Sequence, residues 1–466
     1  MKAWLAAVAA AALPLHCIAQ AVQTGTLELR WGDPPPGSGA APRFEARITD
    51  ADGHVQAIDA QQALRASQDL FSLYGREVDV IAQPGLRTGD TLVPESIMAS
   101  GVSVQATQMP RVLGSQPWVT LLCKFADITD EPRDIPYFTG TLSNDPGRLD
   151  QYWRDVSYDK VDIVGSEVHG WYTLPHPRVH YVPLNADGSD GRADLDALWN
   201  DCTHVADVSV DFTPFVGINT MYNANLDCCA WGGGHRATLD GVNKIWYSTW
   251  EPPWGYANEA PLAHEMGHGF GLPHANNSDR DSDPYDNPWD VMSDAWDHAG
   301  GDSTFGAQPK HIGIWSRDHL GWIDSARKVT ISDDGSVTGI VLDRASLIGS
   351  TNPQMIEVTL PAPEPASHYY VIEARKRVSG FEVNLAGDAV IIHEVSLGRS
   401  EPAWSVDASV PPANVADDPG SMFVVGEQWT EPGGAFTVHV TAQTAEGFVL
   451  DVQRGPGDVI FASGFD

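Results

Sequence analysis

The chain has 466 residues and a formal charge of −34, from 62 acidic and 28 basic side chains. Such an excess of acidic groups repels nucleic acids and anionic membrane surfaces, so we expect neither as a partner. Hydrophobic residues make up 42% of the chain and charged residues only 19%, which indicates a globular protein, and the length indicates about three domains.

The first 21 residues have the pattern of a cleavable secretory signal. Lys2 gives a positive start, the apolar run Trp4–Leu15 is too short to span a bilayer, and Ala19-Gln20-Ala21 offers a small-residue cleavage site. Cleavage after Ala19 and cleavage after Ala21 fit equally well. Since no other stretch approaches membrane-spanning length, we expect a secreted, extracellular protein without a membrane span.

Residues 22–112 predict a β-rich N-terminal module. Thr26–Trp31 and Arg43–Ile48 alternate between polar and apolar residues, and the segment Asp33–Gly37, which contains three prolines, separates them. The module could be a prosegment that is removed or a permanent accessory domain. The sequence leaves both interpretations open.

Four cysteines remain once the signal, with Cys17, is removed. They are Cys123, Cys202, Cys228 and Cys229. An even number in an exported chain indicates two disulfides. Because direct pairing of neighbouring residues is strained, we expect Cys228 and Cys229 each to join one of the other two. All four fall within residues 113–326, so the bonds would brace one domain.

Residues 113–326 predict a central domain of mixed strands and helices. The expected strands are Val119–Phe125, Val161–Val164, Gly170–Pro175 and Phe215–Asn219, and the expected helices are Leu149–Val156, Asp194–Val205 and Pro309–Trp322. The glycine run Trp231–His235 lacks the lysine of a phosphate loop, and we interpret it as a flexible loop near a cleft with a solvated His235.

Residues 264–274 carry the most specific motif of the chain, His-Glu-Met-Gly-His-Gly-Phe-Gly-Leu-Pro-His. A helix places His264 and His268 on one face, one turn apart, so both can bind one ion. Gly271 permits the positive φ that ends the helix, and His274 can then return to the same ion. Three imidazoles with an open fourth position describe a catalytic zinc site.

The motif, together with Met292 in the segment Asn287–Ser293, resembles the metzincin zinc peptidases, which have a methionine in a tight turn below the metal. The residues of this segment are similar to those of gametolysin-like and immune-inhibitor-like secreted peptidases. A histidine as the third ligand, His274, favours the gametolysin-like group. The resemblance covers about residues 116–325. Asp294 stands where some metzincins have a tyrosine ligand, so no such ligand is expected.

The resemblance implies an α+β fold: a metzincin-like peptidase domain, with a twisted mixed sheet and an active-site helix, flanked by β-rich N-terminal and C-terminal domains. It also implies a secreted zinc-dependent endopeptidase. The zinc ion would activate a water molecule, and Glu265 would act as the general base. Since residues 18–122 contain no cysteine, inhibition by a zinc-binding cysteine is excluded; inhibition by an aspartate, or none, stays open.

An acidic run follows the motif at residues 279–286. Asp279, Asp281 and Asp283 alternate there and could converge on a calcium ion, although the spacing is not that of an EF-hand. The alternative is a plain acidic loop.

Residues 327–455 predict a C-terminal β-domain. Its strands His368–Arg375 and Ala389–Val395 resemble the domain that follows the catalytic domain in immune-inhibitor-like peptidases, and Phe436–Val440 with Gly447–Val452 predicts a closing hairpin. Residues 456–466 form a short tail, similar to the C-terminal sorting tails of some exported bacterial proteins or simply a frayed end.

Two other functions compete with the peptidase. One is a non-catalytic surface-binding protein on a peptidase fold, and the other is a zinc hydrolase that does not cleave peptides. The intact Glu265 favours an enzyme over the first. We expect a monomer that acts on extracellular proteins or glycoproteins.

Overall fold

The computed structural model describes residues 22–88, 90–101, 111–378 and 380–455. The expected signal and the C-terminal tail lie outside the described residues. The described chain is a strand-rich α+β structure with several sheets, which confirms the expected class at this level. None of the helices in these ranges is long and apolar enough to cross a membrane.

The described part of the N-terminal region contains five strands and one α-helix. They are β1 (Val22–Asp33), β2 (Arg43–Thr49), β3 (Val55–Ile58), α1 (Ala60–Ala66), β4 (Glu77–Thr88) and β5 (Thr91–Ala99). The two alternating segments of the sequence lie in β1 and β2. β1 ends at Asp33 because three prolines follow, and proline has no N–H to donate to a sheet.

The central region contains ten strands and seven helices. They are β6 (Gly114–Ser115), β7 (Trp118–Lys124), α2 (Ile135–Thr141), α3 (Leu149–Ser157), β8 (Val161–Asp162), β9 (Glu167–Thr173), α4 (Arg178–Tyr181), α5 (Leu195–Ala206), β10 (Gly217–Tyr222), β11 (Ala230–Leu239), β12 (Val242–Glu251), α6 (Pro253–Tyr256), α7 (Glu259–Gly269), β13 (Asn276–Asn277), β14 (Gly300–Asp302), β15 (Gly306–Gln308) and α8 (Ile314–His319). The two predicted helices before the metal motif are confirmed as α3 and α5.

The predicted closing helix Pro309–Trp322 is too long. Only Ile314–His319 is helical, since Gly313 has an extended backbone at the N-cap and Gly321, with φ of +79°, reverses the chain after the helix.

Ten strands form one continuous sheet in the order β2-β3-β5-β4-β1-β11-β12-β10-β7-β9, and β1 also pairs with β2. β7, β9, β10 and β12 are parallel, whereas β11 is antiparallel to β12. β1 lies antiparallel to β11, with Gly32 opposite Trp231 and Asp33 opposite Ala230. The N-terminal region therefore shares its sheet with the central region.

Helices cover both faces of the central part of this sheet. Alternate residues of β7 point to opposite faces: Trp118 and Leu122 join the core with α3 and α7, whereas Val119 and Leu121 join the core with α5. Trp199 on α5 is fully buried against the second face. The metal-motif helix α7 thus lies between the sheet and a hydrophobic core, and all eleven of its residues are buried.

Two further sheets build the C-terminal region. Its strands are β16 (Lys328–Ile331), β17 (Gly335–Asp343), β18 (Met355–Thr359), β19 (His368–Arg375), β20 (Ala389–Ser396), β21 (Ala403–Ser405), β22 (Gln428–Thr430), β23 (Phe436–Gln443) and β24 (Gly447–Arg454). The predicted hairpin is confirmed as β23–β24. The sheet β13-β21-β20-β19-β18-β16 packs on the sheet β17-β24-β23-β22 around one core. Through β13, this region contacts the chain just after His274.

The expected disulfide pairing is wrong. Cys123 on β7 bonds to Cys202 on α5, with their Cα atoms 6.0 Å apart, and Cys228 bonds to its neighbour Cys229. The packing of α5 on the sheet decides this result, because it places Cys202 directly over β7. Among the described residues, Cys228 and Cys229 then have only each other as disulfide partners.

The glycine run is also not a flexible loop. Trp231–His235 is part of β11, and all five residues are buried. Glycine is required there by close backbone approach: a Cβ on Gly233 would lie 2.2 Å from the Leu29 carbonyl oxygen, and one on Gly232 would lie 2.3 Å from the Glu265 carbonyl oxygen. The run lets β1 and α7 approach the same strand.

His235 is accordingly not solvated. It is buried against Trp199, and its Nδ1 lies 2.6 Å from a guanidinium nitrogen of Arg30.

Candidate metal and catalytic site

Helix α7 presents the first two histidines of the motif. His264 and His268 are buried, and their Nε2 atoms lie 3.0 Å apart. Gly271 has a φ of +95°, which an L side chain rarely adopts, and it turns the chain back after the helix. His274 then places its Nε2 3.2 Å from that of His268. The three predicted ligand atoms therefore meet at one point.

Backbone carbonyls fix the orientation of two of these rings. The Nδ1 of His264 lies 2.6 Å from the carbonyl oxygen of Val291, and the Nδ1 of His268 lies 2.7 Å from that of Leu272. A ring whose Nδ1–H donates to a carbonyl has its Nε2 lone pair free, which is the usual arrangement of metal-binding histidines.

Asp33 supplies a fourth ligand atom at the same point. One of its carboxylate oxygens lies 2.7 Å from Nε2 of His274, and the other lies 3.3 Å from Nε2 of His268 and 3.5 Å from Nε2 of His264. Asp33 is buried at the end of β1, and the hydroxyl of Tyr285 donates to it over 2.6 Å.

The four side chains fit a zinc ion. Ligands about 2.0–2.1 Å from a tetrahedral centre are separated by about 3.4 Å, close to the distances observed here. The second oxygen of Asp33 has no hydrogen-bond partner among the described residues although it is buried, which a cation would explain. Three imidazoles and one carboxylate also form a donor set that zinc accepts.

Burial and the contacts between these side chains shift the pKa values of His268 and Asp33. Burial lowers the pKa of His268 to about 3, so its ring is neutral. Burial opposes the ionisation of Asp33, but His274 and His264 outweigh it and hold the pKa of that carboxyl well below its usual value. Asp33 is therefore a carboxylate, the form that binds a metal.

Glu265 lies beside these ligands on α7. It is buried, and its Oε2 has no hydrogen-bond partner among the described residues. Burial, followed by the nearby charges of Asp33 and Glu251, raises the pKa of the Glu265 carboxyl well above its usual value. Glu251, at the end of β12, is a second buried carboxyl whose pKa burial raises. Nothing in its sequence context indicated it.

Met292 lies directly below the helix. Its side chain is fully buried, and a Cβ on Gly267 would stand only 2.4 Å from its sulfur atom. The Met292 backbone accepts a hydrogen bond from Ala275, and the preceding carbonyl, of Val291, accepts from His264. The methionine turn thus supports the first and third histidines, in the place expected for it.

The sheet brings the N-terminal strand against the strand nearest the site. α7 packs on β11 and β12, and β1 covers the other edge of β11. The indole of Trp31 stacks on the ring of His268, with centroids 4.7 Å apart. The segment Gly170–Pro175 contributes to the edge strand β9, at the far end of the sheet from β1 and four strands away from β11.

A cavity of about 580 Å³ opens beside His264 and Glu265. One side is formed by residues 33–42, which include the proline segment after β1, and the other by residues 293–297 and Trp254. The cavity also reaches the acidic loop at residues 281–283. It is large enough for side chains of a bound peptide next to the histidines.

In the acidic loop, the aspartates that lie together are not the three predicted from the sequence. Asp279 and Asp281 lie together with Asp286, whereas the carboxylate of Asp283 accepts a hydrogen bond from the Tyr285 backbone and is not part of this group. Four site residues were missed by sequence reasoning: Asp33, Glu251, Tyr285 and Asp286. The one available signal for Asp33 was its position at the end of a strand, directly before three prolines.

Comparison with known proteins adds no relative. No protein-family model matches the chain, and no curated protein matches it significantly.

Proposed function

We propose that this protein is an exported zinc endopeptidase of the metzincin type, held in a latent state by its own N-terminal strand. The observation that carries the proposal is the convergence of the Nε2 atoms of His264, His268 and His274, with Glu265 beside them on the same helix. A helix of this kind above a buried methionine turn, next to four parallel strands followed by the antiparallel strand β11, supports the metzincin resemblance.

His264, His268 and His274 would hold the zinc ion, which would polarise a substrate carbonyl and acidify a water molecule. Glu265 would accept the proton of the attacking water and deliver it to the leaving amine. Its position suits this role, because Glu265 follows His264 on α7 and lines the cavity beside the histidines. Met292 would hold the floor of the site and transfer no proton.

The edge of β11 would bind the substrate. In the described chain that edge pairs with β1 through residues 30–33, which run antiparallel to β11 and end in the site. An extended peptide in the same place would receive main-chain hydrogen bonds with little demand on its sequence. β1 thus occupies the position of a substrate strand.

Asp33 would then be an inhibitory ligand. It fills the position that a catalytic zinc site must keep open for water and substrate. It also comes from a different part of the chain than the histidines, so cleavage within the exposed segment 36–41 would separate β1 and Asp33 from the rest. We therefore propose that β1 with Asp33 acts as an inhibitory prosegment, whereas β2–β5 stay attached to the central region.

Glu265→Gln tests the catalytic proposal. The variant should keep stoichiometric zinc, since the three imidazoles remain, while casein cleavage by the activated enzyme should fall about a hundred- to ten-thousand-fold. Glu167→Gln, at an exposed glutamate, serves as the matched control and should cleave at the wild-type rate. Equal cleavage by Glu265→Gln and wild type would overturn the mechanism, and wild type that binds zinc but cleaves no protein would favour a surface-binding protein.

N-terminal sequencing of the active, exported form tests latency. The first residue should lie beyond Asp33. An active form that still begins at residue 20 or 22 would show that Asp33 does not inhibit.

A further inference from the structure

We infer that Asp279, Asp281 and Asp286 form a calcium site in the loop between the third histidine and the methionine turn. One carboxylate oxygen from each lies within 4.8 Å of the others. A calcium ion binds oxygens at about 2.3–2.6 Å, so ligands on opposite sides of it stand about 5 Å apart. One ion can therefore contact all three carboxylates.

Asp286 points to a ligand independently of the cluster. Its side chain is only 2% exposed, and neither of its carboxylate oxygens has a hydrogen-bond partner among the described residues. Burial of such a group is costly unless a proton or a cation neutralises it. Burial, and then the charges of Asp279 and Asp281, raise the pKa of Asp286 to about 8 when no cation is present.

No cationic side chain of the described residues pairs with the aspartates of this loop and so takes the place of an ion. Residues 279–286 contain four aspartates and one basic residue, Arg280. Among the described residues, no lysine, arginine or histidine forms an ion pair with any of these four aspartates. The donors are all oxygens, which suit a hard cation such as calcium rather than zinc.

Both neighbouring regions of the chain contact this loop. The backbone oxygen of Asp286 accepts a hydrogen bond from Ala416, and Asn277 donates to the carbonyl of Asn414, both in the C-terminal region. Tyr285, next to Asp286, donates to Asp33. A calcium ion would therefore fix the loop that joins the zinc site, its inhibitory strand and the C-terminal region.

A second acidic group provides a contrast within the same chain. Asp50, Asp52 and His54 also lie close together, but Asp52 and His54 are exposed. The Asp50 carboxylate accepts hydrogen bonds from the backbones of residues 52 and 54. No buried atom of this group lacks a partner, so it carries no such inference.

Calcium titration of the full exported chain by calorimetry tests the site, after chelating resin has removed calcium and zinc has been restored. Wild type should bind one calcium ion per chain and unfold at a temperature several degrees higher with calcium. Asp286→Asn should lower the calcium affinity at least tenfold, since the amide keeps the shape but loses the charge. Asp279→Asn should also lower it, and Asp52→Asn should leave it unchanged.

Absence of saturable calcium binding to wild type would overturn the site, and so would wild-type affinity in Asp286→Asn. Circular dichroism and zinc content show that each variant is folded. The calcium titration does not depend on peptidase activity. The calcium site and the proposed function, on which the site does not rest, can therefore be disproved independently of each other.

Discussion

A carboxylate oxygen of Asp33 lies 2.7 Å from Nε2 of His274, although Asp33 belongs to the N-terminal region and His274 to the central region. The contact exists because β1 pairs with β11 and ends beside α7. In the proposed zinc site, a carboxylate from an N-terminal strand would thus fill the position beside the three histidines.

Asp33→Ala should release the latent state. Without the carboxylate, the fourth position on the metal opens, so unprocessed protein should cleave casein at least about tenfold faster than unprocessed wild type. The rate is measured at early times, with gels to show that the chain is still intact. Asp52→Ala, in the same N-terminal region, is the control. An unchanged rate in Asp33→Ala would mean that β1 blocks the site without its aspartate.

His274→Ala should weaken zinc retention. Removal of one of three imidazoles leaves the ion with Asp33 and two histidines, so zinc should be lost on dialysis against a weak chelator. Elemental analysis measures the remaining metal per chain. His180→Ala removes an exposed histidine and should keep wild-type zinc content. Full zinc retention in His274→Ala would exclude this residue as a ligand.

Gly267→Ala should destabilise the protein by about 1–3 kcal/mol, because the new methyl group overlaps the Met292 sulfur. Denaturant unfolding of the zinc-loaded chain measures the change in the free energy of unfolding. Gly301→Ala is the matched control, since a Cβ there meets nothing within 4 Å. If both variants unfold alike, Met292 does not pack tightly below α7.

Ionisation of Asp286 should lower the free energy of unfolding of the calcium-free protein as the pH rises from about 4 to about 8. The folded state keeps the Asp286 proton up to a pKa of about 8, next to Asp279, Asp281 and Asp283, whereas the unfolded state releases it near its ordinary value of 3.8. The unfolded state therefore binds fewer protons across this window, and unfolding becomes easier.

The difference in unfolding free energy between wild type and Asp286→Asn, measured from pH 5 to 8.5, isolates this effect. Relative to the variant, wild type should become less stable as the pH rises. With saturating calcium, wild type should instead be more stable than the variant at the upper end of this pH range. A difference that does not change with pH would mean that Asp286 is ionised in the folded state throughout.

The residues of the histidine motif could be found in the sequence because their geometry is local. The spacing of His264 and His268 follows from the helical repeat, and Gly271 marks the turn that returns His274. The hairpin β23–β24 and helices α3 and α5 were predictable for the same reason: each is encoded by the periodicity of its own residues.

Tertiary structure decided what depends on contacts between distant segments. Asp33 and Tyr285 are 252 residues apart, and only the register of β1 on β11 brings them together. The glycine run is a buried strand because β1 and α7 pack against it. Cys123 bonds to Cys202 because α5 packs on β7. The sequence by itself thus determined the three histidines and the glutamate, since short-range backbone geometry places them. The strand that covers them was decided by long-range pairing, which local periodicity does not encode.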